Sequence, residues 1–122
     1  MVVDWVRKRL AKAENARGET GTMPSIVTSK QGVPIRLTDE RWVHITEEHS
    51  ELAGMRLDVL ETVAQPERIL AGGAGEKLAV RAVEVDKWLV VVYREMENDG
   101  FIITAFLTRR FRSLERRNQL WP

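Results

Sequence analysis

The chain predicts an α+β fold: an N-terminal helix, a β-hairpin, two helices packed on an antiparallel β-meander, and a short C-terminal helix. Three observations predict it. Apolar residues recur at helical spacing through residues 39–64, short β-branched or alternating runs occupy 25–37 and 78–108, and tight-turn residues separate those runs. A chain of 122 residues suits one hydrophobic core, so a single domain over 1–122 is expected. Within it, 1–20 reads as a helical arm, 25–110 as the core, and 111–122 as a basic tail.

Composition excludes several classes. With no cysteine there is no disulfide framework and no thiolate metal site, which fits a reducing cytosol and makes a cytoplasmic location the expectation. No apolar run approaches the ~20 residues of a membrane span, so a soluble protein with no membrane partner is expected. Arg7, Lys8 and Arg9 are not followed by an apolar segment of signal length. The net charge of +1 hides an uneven distribution: residues 1–37 hold seven Lys/Arg against three Asp/Glu, 38–76 three against nine, and 77–122 nine against six. A polyanion would be drawn to both ends and repelled by the middle.

Residues 2–16 read as an amphipathic helix, with Val2, Val3, Val6, Leu10 and Ala13 on one side. Gly18 ends it, and linker-like residues up to Pro24 make it an arm that either docks on the core or serves a partner. Residues 25–29 and 33–37 then form a hairpin whose Gly32 supplies a positive φ. Thr38 is an N-cap, and Asp39 and Glu40 lie in the first turn, where the helix dipole favours negative charge. The helix it opens should run to about Leu52 and stop near Gly54. Leu57, Leu60, Val63 and Ala64 mark a second helix, closed by Pro66 because the residue before a proline is pushed out of the helical region.

The Ala71-Gly-Gly-Ala-Gly75 run lacks the lysine and hydroxyl of a P-loop and the spacing of a dinucleotide fingerprint, so a flexible connection is expected. Three strands follow, at 78–85, 88–96 and 101–108, turned at Asp86-Lys87 and Asn98-Asp99-Gly100. Val90, Val91 and Val92 make the middle strand apolar on both faces, as a central strand requires. Arg109, Arg110, Arg112, Arg116 and Arg117 make the tail basic. Ser113 is a candidate cap for a last helix whose Leu114, Leu120 and Trp121 pack back.

Both histidines fall in the first core helix. On a helical wheel Trp42, Ile45, His49 and Leu52 share one face, while Arg41, His44 and Glu48 share the adjacent stripe. His44 beside Arg41 can thus meet a ligand at the edge of the fold. His49, in an apolar stripe, is equally read as a core histidine bonded to a carbonyl. Five positions apart, the two imidazoles point about 140° away from each other, which disfavours a shared metal, so no metal or other cofactor is expected. On the meander, alternation places Thr104 with Ile102, Phe106 and Thr108, and Tyr93 with Val91 and Leu89.

The order of these features resembles a known grouping. The stretch Ile35-Arg-Leu-Thr-Asp-Glu-Arg41-Trp-Val-His44-Ile45, then His49, the helix end Gln65-Pro66-Glu67-Arg-Ile69, and the strand Ile102-Ile-Thr104-Ala-Phe106 are similar to the phage-associated nuclease families grouped with barnase, EndoU, colicin and RelE nucleases. The resemblance covers residues 33–110 and excludes the N-terminal helix and the arginine-rich tail. It implies a nuclease-like core and a metal-independent endoribonuclease, often the toxin of a toxin–antitoxin or phage-conflict system, with RNA and a cognate antitoxin as partners.

Such chemistry needs a base for the 2′-hydroxyl, an acid for the leaving oxygen and a cation for the charge-rich phosphorane. Histidine serves either proton role near neutrality, and arginine meets phosphate with a planar fork that keeps its charge. Together with the resemblance, which singles out Arg41, His44, His49 and the Thr104 strand, this makes the expected catalytic set His44, His49, Arg41 and Thr104, with Tyr93, Arg94 and Arg109 contacting substrate. The competing expectation is a non-catalytic protein- or RNA-binding module of the same fold, favoured by the acidic middle and the arm-like first helix.

Overall fold

The computed structural model describes residues 25–122. The predicted N-terminal helix lies outside the described residues. The described chain runs β1 (Ser25–Thr28), β2 (Pro34–Leu37), α1 (Asp39–Glu48), a 3-10 turn (Ser50–Leu52), α2 (Arg56–Ala64), β3 (Arg68–Ala71), β4 (Lys77–Glu84), β5 (Lys87–Glu95), β6 (Gly100–Thr108), α3 (Phe111–Glu115) and β7 (Gln119–Trp121). All seven strands join one mixed sheet in the order β1-β2-β6-β5-β4-β3-β7.

Much of the local structure follows the expected physics. Gly32 closes the first hairpin at φ 85, and Thr38 caps α1 by accepting from the Arg41 amide at 3.1 Å. β4, β5 and β6 form the antiparallel meander, and β5 is the central strand of the meander, fourth of the seven in the sheet. Its Val91 packs into one apolar cluster and its Val90 into another on the opposite face.

Four features differ from the sequence expectation. The histidine helix ends at Glu48, and His49 leaves it with φ −132 and ψ 73 before the 3-10 turn. The helical wheel therefore no longer describes His49. Second, β3 and β7 add a far edge: β3 pairs antiparallel with β4 and with β7, so Trp121 is a strand residue opposite Ile69 and Leu120 is exposed. The apolar end of the tail is held by main-chain pairing rather than by packing on a helix. Third, α3 begins after Arg110, and Ser113 lies inside it with its hydroxyl on the Arg110 carbonyl. Fourth, the register of β5 and β6 shifts between Val92 and Tyr93: Val92 faces Thr104, but Tyr93 faces Ile102. The extra residue is a β-bulge, and it breaks the alternation that would have put Ile102 and Thr104 on one face.

The larger cluster joins Ile35 and Leu37 of β2, Ile45, Leu52, and Val59, Leu60 and Val63 of α2 to Leu89, Val91, Tyr93, Ile102 and Ala105. The second cluster places Leu114 and Phe111 over Leu78, Val80, Val90 and Phe106. Both sheet faces are thus covered at least in part. α2 packs against β1 as well as β4 and β5, so the sheet curls around this helix. The curl brings the two outer strands near each other, with the Lys30 ammonium 4.8 Å from the ring centre of Trp121. Glu95, 5 % exposed, accepts from Ser29 Oγ and from Lys77 Nζ, each at 2.6 Å, and ties the β1–β2 turn to β4.

Candidate active site on the first core helix

β2 lies parallel to β6 through Ile35 opposite Gly100 and Arg36 opposite Phe101, and its end leads through Thr38 straight into α1. Alternation buries Ile35 and Leu37 and leaves Arg36 outside. Two adjoining depressions result, with Thr38 and Arg41 common to both. One is lined by Arg36, Asp99, Gly100, Phe101 and Ile102, the other by Glu40, His44 and Glu48. The stripe of Arg41, His44 and Glu48 expected from helical spacing therefore does line one open depression.

The charges there are exposed surface groups. Arg36 Nη2 lies 3.5 Å from Asp99 Oδ2, both side chains about half exposed. His44 Nδ1 is 3.8 Å from Glu47 Oε1. The guanidinium of Arg41 makes no ion pair or hydrogen bond with the described residues. The depression thus holds a permanent cation, an imidazole and two carboxylates, which are a phosphate-binding group and two kinds of proton carrier. Glu48 belongs to the expected stripe, whereas Glu40, Arg36 and Phe101 do not stand out from sequence as site residues. The same helical spacing of four that joins Glu48 to His44 reaches Glu40 on the other side.

The other expected residues go elsewhere. His49 stands one-third exposed beside Glu51, 3.8 Å away, with its ring 6.3 Å from that of Phe106, outside both depressions. Tyr93 is fully buried in the larger cluster, so its hydroxyl does not face a ligand. Desolvation raises its pKa, and the nearby Glu95 charge adds to the shift. Thr104 is half-buried opposite Val92, on the side away from Tyr93. Arg94 donates to the Ala74 carbonyl at 3.2 Å.

That last contact corrects the reading of the glycine-rich run as a flexible connection. The Glu76 carboxylate accepts from the Ala74 amide at 2.7 Å, and Arg117 donates to the Ala71 carbonyl. The Ala74 amide bond lowers the pKa of Glu76, helped by its own amide and by Arg94 and Arg117. Gly75 at φ 90 allows the fold of the loop. The loop is cross-braced, and Arg94 is one of the braces.

Arg109 lies at the opposite end of β6 from Phe101, about 26 Å away at roughly 3.3 Å per strand residue. It lines a different depression, with Arg110, Arg112 and Arg116. Arg41 and Arg109 therefore do not share a phosphate. Among the described residues no three His, Asp or Glu side chains converge to hold a metal ion, and no helix is long and apolar enough to cross a membrane. No protein-family model, curated protein or solved structure matches this chain.

Proposed function

We propose that this protein is a small metal-independent endoribonuclease, a toxin of a toxin–antitoxin or phage-conflict system, whose reaction centre is the depression along α1. The observation that carries this reading is the meeting of Arg41, His44, Glu40 and Glu48 in one open hollow. A carboxylate, Glu40 or Glu48, takes the 2′-hydroxyl proton. The 2′-oxygen then attacks phosphorus, and His44 gives its proton to the departing 5′-oxygen, leaving a 2′,3′-cyclic phosphate and a free 5′-hydroxyl. Arg41 holds the phosphorane charge, and Arg36 flanks it along the strand. His49 and Tyr93 have no proton role in this scheme. A cognate antitoxin would act by covering the same hollow.

The test is cleavage of single-stranded RNA in EDTA by the wild type and by His44→Ala, Arg41→Ala, Glu40→Gln and Glu48→Gln. Loss of cyclic-phosphate product in the histidine and arginine variants is expected, with the glutamate variants identifying the base. Undiminished cleavage in His44→Ala would sink the assignment.

A second reading, an RNA-binding module without catalysis, is favoured by the separation of Arg41 from Arg109. It predicts salt-dependent RNA binding with no product at any enzyme concentration.

A further inference from the structure

We infer that the Arg109 end of β6 is a separate docking surface for single-stranded RNA. It extends the RNA-directed reading above, remote from the α1 hollow. Arg109, Arg110, Arg112 and Arg116 rim a depression whose floor includes Trp88 and Phe111. Chain order explains the convergence. β6 delivers Arg109 and Arg110 at its end, the single turn of α3 returns Arg112 and Arg116, and Trp88 enters from the start of β5 opposite Thr108.

The cations are available. Arg110, Arg112 and Arg116 make no guanidinium ion pair or hydrogen bond with the described residues, and Arg109 has only a long 3.5 Å contact to the Asp86 carbonyl. Among the described residues, Asp86 is the one carboxylate lining the depression. Four clustered arginines repel one another, so the arrangement favours a bound polyanion.

The aromatic floor distinguishes RNA from a merely acidic partner. Trp88 and Phe111 lie 4.7 Å apart at 40°, and the Arg68 guanidinium covers a face of Phe111 at 4.8 Å, so Phe111 braces Trp88, the ring left to stack a base. Both rings remain partly exposed. A cationic rim beside the braced Trp88 ring suits a strand whose phosphates meet the arginines and one of whose bases stacks on the indole, with little dependence on base identity. An acidic peptide would use the rim and leave the rings idle.

The experiment measures fluorescence anisotropy of a labelled oligouridylate of about 20 nucleotides, long enough for a site of this kind. The protein is the full chain carrying His44→Ala, which leaves the probe intact under the proposed chemistry, with and without Arg110→Ala, Arg112→Ala and Arg116→Ala together. Titrations cover roughly 50 to 200 mM salt. The triple variant should bind at least tenfold more weakly at the low-salt end, and its log-affinity against log-salt slope should fall by about 2, near 0.7 for each phosphate that an arginine no longer neutralises. All three side chains are exposed, so the fold should persist, and circular dichroism checks this. Tryptophan fluorescence should be quenched on binding, and Trp88→Phe should remove most of that quenching.

An unchanged affinity and slope in the triple variant overturns the inference, as does absence of RNA binding by the parent chain. Polyglutamate binding as tightly, with no quenching of Trp88, assigns the surface to an acidic protein and overturns it as well. Failure of the catalytic reading is seen separately: the slope falls in the triple variant while the wild type makes no cyclic phosphate.

Discussion

Arg56 on α2 reaches back to Asp39 on α1, with Nη1 2.7 Å from Oδ1, while its Nη2 donates to the Leu37 carbonyl at 3.1 Å. One side chain thus joins the starts of both helices to the end of β2, on either side of Thr38. The ion pair is partly solvated, Asp39 being 56 % exposed, so it contributes about 1 kcal/mol at most. The carbonyl bond adds a similar amount. Arg56→Met, which keeps the apolar stem, should destabilise by about 1–2 kcal/mol in urea unfolding. Asp39→Asn should cost less than half as much, and equal costs would show that the carboxylate carries the joint.

The one tyrosine of the chain gives a clean pH experiment. Tyr93 is enclosed, its hydroxyl has no hydrogen-bond partner among the described residues, and burial lifts its pKa above the ordinary 10.0. Above pH 10 the unfolded chain loses this proton while the folded chain keeps it, so stability is fully present below pH 10 and declines above it. Tyrosinate absorbance should be missing from the folded protein at a pH where the urea-unfolded chain shows it fully. A folded-state titration midpoint at the ordinary value would refute the burial argument.

Removing that hydroxyl should help. Tyr93→Phe relieves the cost of burying an unpartnered polar group and is expected to stabilise by about 1 kcal/mol near neutral pH. A destabilised variant would reveal a hydrogen bond to the hydroxyl in solution.

Gly100 is needed for space and not for a turn. It is buried at the start of β6, and a methyl group there would collide with the Arg94 carbonyl and the Ile35 Cδ1 atom. Gly100→Ala should cost about 3 kcal/mol, because part of the obstruction is backbone. Since Ile35 opposite Gly100 begins the β2–β6 pairing, exchange of the Arg36 and Leu37 amides should also accelerate.

The two histidines should separate in function. His44→Ala is expected to lower RNA cleavage by about 10²-fold or more, the usual contribution of a positioned proton carrier. His49→Ala should leave kcat within about threefold, since His49 lies outside the hollow and a group that does not touch the reacting atoms adds no proton transfer. Equal losses in both would return His49 to the reaction centre.

Local features were legible from residue order because they depend on neighbours within a few positions. The Thr38 cap, the positive φ of Gly32, the stop before Pro66 and the central Val90-Val91-Val92 strand all rest on backbone sterics or on period. The Arg41, His44 and Glu48 stripe was legible for the same reason, since all three lie within the regular part of α1. His49 was not, because the helix ends one residue before it.

Long-range pairing decided the rest. Four residues of β3 and three of β7 carry too little periodicity to be seen alone, and only their hydrogen bonds to β4 and to each other make them strands. One extra residue in β6 moved Ile102 and Thr104 to different faces, an outcome set by the register with β5. The same sheet enclosed Tyr93, braced the glycine-rich loop with Arg94, and carried Arg109 to the far end from Arg41. Residue order established which side chains share a helical stripe. Which stripes and strand ends share a surface depended on strand order and curl, which arise from contacts between residues far apart in the chain.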